Sequence, residues 1–238
     1  MPRSLVGDPS SHNRGAATSP GERDMKIMLI GAGRFGKEHL AALADIGPLS
    51  LAVAEMREDT LDEVRSRFAL ADWDRDAGAL ADRFRPDGAI VAAPAAANAA
   101  LAEMMLRRDI PVLVEKPVAP DAAAMRRLCA VAAQSAAFLQ PGHILRFSAA
   151  HRAMAATLAS GELGELLHVE SRRCRDADHA RRYAATDPVL MTMIHDIDLA
   201  LWLDRGGRAI SAVASRQLGR LDRESGEVWF WGPAYAGP

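Results

Sequence analysis

The chain has 238 residues, 49% of them hydrophobic and 25% charged, with a formal net charge of −2. That balance can fill a sizeable core without disulfides or metals, and it gives no pull toward nucleic acid or an anionic membrane. The two cysteines, Cys129 and Cys174, are far apart and form no CxxC pair, so neither zinc nor redox chemistry is expected of them. Each reads as a small buried hydrophobe in a reducing, cytoplasmic setting.

Residues 1–24 are rich in Ser, Gly, Pro and charge and lack the apolar centre of a signal peptide, so a disordered leader is expected there. From Met25 short β-type runs alternate with helical stretches. Strands are expected at 26–30, 50–55, 88–93, 111–115 and 138–144. Helices are expected at 37–46, at 60–68 with Thr60 or Asp59 as cap, at 77–84, at 96–108, and from an Asp121 cap to about Ser135. Strands apolar on both faces, separated by helices, imply a parallel sheet covered on both sides, a doubly wound Rossmann α/β domain over 25–145.

The texture changes after Phe147. A helix is expected at 149–160, and GELGE then turns the chain into an alternating strand at 166–173. Beyond a long loop come an amphipathic helix at 188–203 and further strands at 209–216 and 228–231. Residues 146–238 therefore read as a partial α/β (α+β) second domain with an unpaired sheet edge. The short clusters Arg172, Arg173, Arg175 and Arg181, Arg182 have acidic neighbours and read as solvated surface. The longest uncharged stretch, 88–102, is too short to cross a bilayer.

Three segments carry chemistry. Gly31-Ala32-Gly33-Arg34-Phe35-Gly36 follows a strand and opens a helix. Its glycines permit a tight turn, close approach of a pyrophosphate and close helix packing, and the helix start offers free N–H donors. Glu55, at the end of the next strand, is placed to accept hydrogen bonds from ribose hydroxyls, which favours NAD. Arg57 leaves room for the 2′-phosphate of NADP. Glu115-Lys116-Pro117 lies at a strand's C-terminal end, where open α/β sheets place ligands. Lys116 there is either a substrate-polarising amine or a surface lysine before a loop. His195 and Asp198, three residues apart, share a helix face. His195 either moves a proton or is a histidine satisfied by Asp196 or Asp198. No third element offers matching ligands, so no metal is expected.

In order along the chain, GAGRFGKEH with His39, Pro94, EKP, GHILRF at 142–147, GELGE and IHDID at 194–198 resemble the Gfo/Idh/MocA family of oxidoreductases. The GHILRF and IHDID wording is most similar to a branch that includes UDP-N-acetylglucosamine 3-dehydrogenases. The resemblance implies a Rossmann domain followed by an α/β domain that lines the substrate site and often forms a dimer interface. It implies hydride transfer between NAD or NADP and a hydroxyl or keto carbon of a sugar, cyclitol or nucleotide sugar. Cofactor contacts would come from residues 31–36, Glu55, Arg57, Pro94, Glu115 and Lys116. Lys116 and His195 would be catalytic, with Arg146, Tyr183 and Asp198 at the substrate. The partners implied are a small sugar-like molecule and, if the second domain is complete, a second copy of the chain.

Three departures from the family pattern stand out. The residue four before the histidine, commonly Asp, is Met191, and a thioether cannot orient or charge-stabilise an imidazolium. Tyr183 and Asp198 are the candidate substitutes. A position often occupied by His is Asn98. The chain also ends where further strands are expected. A cofactor-binding but non-catalytic protein, or a truncated fragment, is therefore the alternative to an active dehydrogenase.

Overall fold

The computed structural model describes residues 24–172 and 189–204. Its frame is a six-stranded, all-parallel sheet of β1 (Met25–Ile30), β2 (Leu49–Ala54), β3 (Asp72–Asp74), β4 (Gly88–Val91), β5 (Val112–Val114) and β6 (Leu139–Pro141), in the order β3-β2-β1-β4-β5-β6. Five helices belong to this unit: α1 (Arg34–Ile46), α2 (Glu58–Arg67), α3 (Ala77–Phe84), α4 (Ala95–Leu106) and α5 (Ala122–Ala132). Among the described residues two more lie beyond it: α6 (Ala149–Ser160) and α7 (Ile194–Leu203).

The period-2 alternation of the strands sends successive side chains to opposite faces. Met28 and Ile30 of β1, with Ala52 and Ala54 of β2, enter a core covered by α3, α4 and α5 through Leu80, Phe84, Met105 and Leu128. Leu29, Leu51 and Val53 face the other way, onto Leu40 and Leu43 of α1 and Leu61 and Val64 of α2. Because both faces are buried, the strands read as continuous apolar runs. The strand order reverses between β1 and β4, and the loops leaving those two strands open a crevice at their C-terminal ends.

Asp121 caps α5 by accepting from the Ala124 amide, and Asp76 caps α3 by accepting from Gly78 and Ala79. The α2 start differs from expectation. Arg57 is its N-cap, and Asp59 lies within the first turn, accepting from the Thr60 amide and hydroxyl. The strand β3, with only three residues and no apolar run, was not foreseen. It is held from outside its own sequence, since Arg83 of α3 clasps Asp72, Asp74 and the Trp73 carbonyl.

Cys129 is exposed, contrary to expectation. The buried face of α5 is set by Ala124 and Leu128, and one further residue turns about 100° away from it. Residues 166–172 form no strand, and Leu167 is 90% exposed. A strand needs a ladder partner, and the strands expected at 209–216 and 228–231 lie outside the described residues. Cys174, Arg173, Arg175, Arg181 and Arg182 lie outside them too, while Arg172 is exposed beside Glu170. The amphipathic helix expected from 188 instead begins as a π-helical turn, Val189–Met193, before α7. Among the described residues, no helix is long and apolar enough to cross a membrane.

Candidate active site

The first βα turn is built by its glycines. Gly31 has φ +91° and donates its amide to the Ala54 carbonyl at 2.8 Å; a Cβ there would stand 2.7 Å from the Ala92 carbonyl oxygen of the β4 loop. A Cβ at Gly36 would lie 2.1 Å from the Gly31 carbonyl oxygen, so only glycine lets α1 pack this closely on β1. Gly33 is different. It is the N-cap of α1, and a Cβ there would meet nothing within 4 Å.

No side chain caps α1, and its first turn holds no acidic residue. Its N-terminal amides and dipole thus face the crevice uncompensated, beside a glycine that leaves the approach open, which fits a pyrophosphate. Glu55 reaches the same turn. Its Oε2 accepts from the Ala32 amide at 2.8 Å and its Oε1 from the Arg57 amide at 2.9 Å, which fixes a carboxylate beside the glycine-rich turn. The Arg57 guanidinium lies 3.9 Å from that carboxylate. These residues fit the diphosphate and ribose of a dinucleotide.

The exposed Phe35 ring, 48% accessible, carries Arg34 at 5.8 Å and the Lys116 Nζ at 5.9 Å, linking the first turn to the end of β5. Next to Lys116, the largely buried Glu115 carboxylate accepts from His39 Nε2 of α1 at 2.9 Å and from the Lys116 amide at 3.2 Å. Burial pushes the Glu115 carboxyl up. The His39 hydrogen bond and charge, with the Lys116 amide and ammonium, outweigh it and hold the group below the ordinary carboxylate value. Asn98, fully buried in the α4 helix that starts after Pro94, donates Nδ2 to the Glu115 and Pro117 carbonyls, both at 3.1 Å. Two carbonyl partners fix which way this amide points, because only its nitrogen can serve both. The Lys116–Pro117 peptide is cis.

The far side of the site comes from α7 and the segment after β6. Lys116 Nζ donates to the backbone carbonyl of Met191 at 3.1 Å, so position 191 meets the lysine through its main chain. His195 and Asp198 are both buried on one face of α7. The Asp198 carboxylate is taken by Arg146 in a two-pronged pair, Nε to Oδ2 at 2.8 Å and Nη2 to Oδ1 at 2.6 Å, which raises the arginine's pKa further. Asp198 was expected as a stand-in for the missing acid beside His195, but both of its oxygens serve Arg146. Asp196 accepts the Ser171 hydroxyl at 2.7 Å.

The residue that sequence reasoning overlooked is His143. Its ring stands edge-on to His195, with centroids 6.4 Å apart and planes at 88°, and its Nδ1 lies 3.8 Å from Asp198. It sat within the quoted GHILRF segment, but nothing in its spacing announced a partner fifty residues away. Tyr183 lies outside the described residues. Among the described residues, no group of three or more His, Cys, Asp or Glu gathers as a metal site would require.

The model of an oxidoreductase family with an NAD-binding Rossmann fold, GFO_IDH_MocA, matches residues 25–143. An inositol 2-dehydrogenase of Acidothermus cellulolyticus is 31% identical over 202 residues, covering 82% of this chain and 58% of that protein. Among solved structures, a scyllo-inositol dehydrogenase from Lactobacillus casei with bound NAD(H) and scyllo-inositol superposes with a TM-score of 0.70 at 22% identity, over 86% of this chain and 63% of the other. The WlbA dehydrogenase from Bordetella pertussis, in complex with NADH and UDP-GlcNAcA, gives 0.65 at 18% identity, over 77% of this chain and 59% of the other. At these identities the structures share the fold. The chain spans between 52% and 60% of the length of the inositol dehydrogenases it matches.

Proposed function

The chain belongs to the Gfo/Idh/MocA oxidoreductase family, and we propose that it transfers hydride between NAD and a secondary hydroxyl carbon of a cyclitol or related sugar. The observation that carries this reading is the bond from Lys116 Nζ to the Met191 carbonyl. It draws the end of β5 and the start of the His195 helix to one place, across the crevice from the uncapped start of α1.

When bound, NAD supplies the hydride acceptor. Residues 31–36 and Pro94 would hold its diphosphate, and Glu55 would accept from its ribose hydroxyls. That carboxylate repels a 2′-phosphate, which favours NAD over NADP despite the neighbouring Arg57. Lys116 would donate a hydrogen bond to the substrate oxygen, stabilising the negative charge that develops there as His195 takes the hydroxyl proton; the C=O bond forms as the carbon gives up its hydride to the cofactor. Glu115, held by His39 and Asn98, sets the position of the Lys116 backbone. Arg146, braced by Asp198, offers its remaining N–H donors to other hydroxyls of a polyol.

The described residues from 146 onward belong, in this reading, to the part of the chain that lines the substrate site. An inositol is the first substrate to test, because the relatives matched by sequence include inositol 2-dehydrogenases. The experiment is NADH formation with myo-inositol, scyllo-inositol and UDP-sugars. Turnover that requires Lys116 and His195 is the expected result. Cofactor binding without turnover on any polyol, with Lys116→Ala and His195→Ala indistinguishable from the parent, would overturn it.

A further inference from the structure

We propose that His143 is a positioning residue for His195, filling the orienting role that a methionine at position 191 cannot, with the Asp198 carboxylate 3.8 Å from the His143 Nδ1. The proposal rests on the dehydrogenase reading only for what His195 does with its proton; the pairing of the imidazoles stands on geometry.

Gly142 brings the ring into place. Its amide donates to the Val114 carbonyl at 2.7 Å, and a Cβ there would come within 3.1 Å of that oxygen and 3.3 Å of Glu115 Cα. A side chain at 142 would push the segment after β6 away from the end of β5. Glycine lets His143 settle beside it, only 19% accessible. There the ring meets His195 edge to face. Its Nδ1 is buried and makes no hydrogen bond among the described residues.

The charged groups acting on His143 are Asp198, Arg146 and Glu115, with His195 as its ring partner. Burial is the largest influence and pushes its pKa down. Asp198 pulls it up, Arg146 lowers it and Glu115 raises it, and the net result lies below the ordinary histidine value. Near neutral pH the ring is therefore uncharged and presents its edge to the imidazole that takes the substrate's proton. Two imidazolium charges this close repel, so the pair binds one proton before the other and titrates as a coupled unit.

The test has two arms. In the protein without substrate, labelled with 15N-histidine, the His195 ring signals are followed against pH by NMR. Two-step curves are expected in the parent and single-step curves in His143→Gln; single-step curves in both overturn the pairing. This arm needs no catalysis, so it decides the matter even if the dehydrogenase reading fails.

The second arm is kinetic, with NAD and myo-inositol. His143→Gln should lower kcat by about tenfold with little change in KM, and Met191→Asp added to it should restore most of the loss. Loss without rescue, or no loss, would each overturn the proposal. A preserved rise in Tm on adding NADH establishes that each variant is folded.

Discussion

Removing the His39 imidazole tests how the first helix and the EKP segment are joined. His39 of α1 donates to a largely buried Glu115 carboxylate whose second oxygen accepts from the Lys116 amide. A hydrogen bond to a charged group contributes roughly 1.5–3 kcal/mol, and here its loss leaves an enclosed charge short of a partner. His39→Leu should therefore cost about 2 kcal/mol at pH 7, or about 4–8 °C in Tm for a domain of this size. The sign of the pH dependence follows from the depressed Glu115 pKa. A carboxyl that titrates lower in the folded chain contributes its full stability above the unfolded value of about 4.3, and loses it as pH falls through the lower folded value. In His39→Leu, burial is no longer offset by the imidazole, so acid unfolding should begin at higher pH than in the parent. Urea unfolding of the parent, His39→Leu, Glu115→Gln and the double variant closes a thermodynamic cycle at pH 7. A coupling of at least about 1.5 kcal/mol is expected; additivity within about 0.5 kcal/mol would refute the reasoning.

Four other outcomes follow from the site. Gly36→Ala should unfold or severely destabilise the first βα unit, because its Cβ would meet the Gly31 carbonyl, as thermal unfolding will show. Gly33→Ala should instead hold Tm within about 1 °C, while NAD affinity by calorimetry falls at least about tenfold, since its methyl enters the approach to the α1 amides. Glu55→Ser should lower the preference for NAD over NADP, measured as a ratio of Kd values. Asn98→Ala strips both carbonyls of the EKP segment of their donor and should cost about 2 kcal/mol or more in chemical denaturation.

The Rossmann frame was legible because its signals are local. Apolar runs such as 26–30, the GAGRFG turn and the Asp121 cap each declare themselves within a few residues. β3 was not legible, because Asp72–Asp74 becomes a strand through an arginine eleven residues away on α3. Cys129 was misjudged because residue type says less about burial than position on the helix face does. In the site, Lys116, His195 and Glu55 stood out by motif and strand end. His143, and the commitment of Asp198 to Arg146, depend on where α7 packs against the segment after β6, which no local pattern encodes.

The central claim is that the uncapped start of α1 and the Glu55 carboxylate receive a dinucleotide. Calorimetric titration of the purified chain with NADH tests it most directly. Saturable one-to-one binding that Gly33→Ala weakens is the predicted result. An absence of heat across the titration, with the parent's Tm unmoved by NADH or NADPH, would contradict the account.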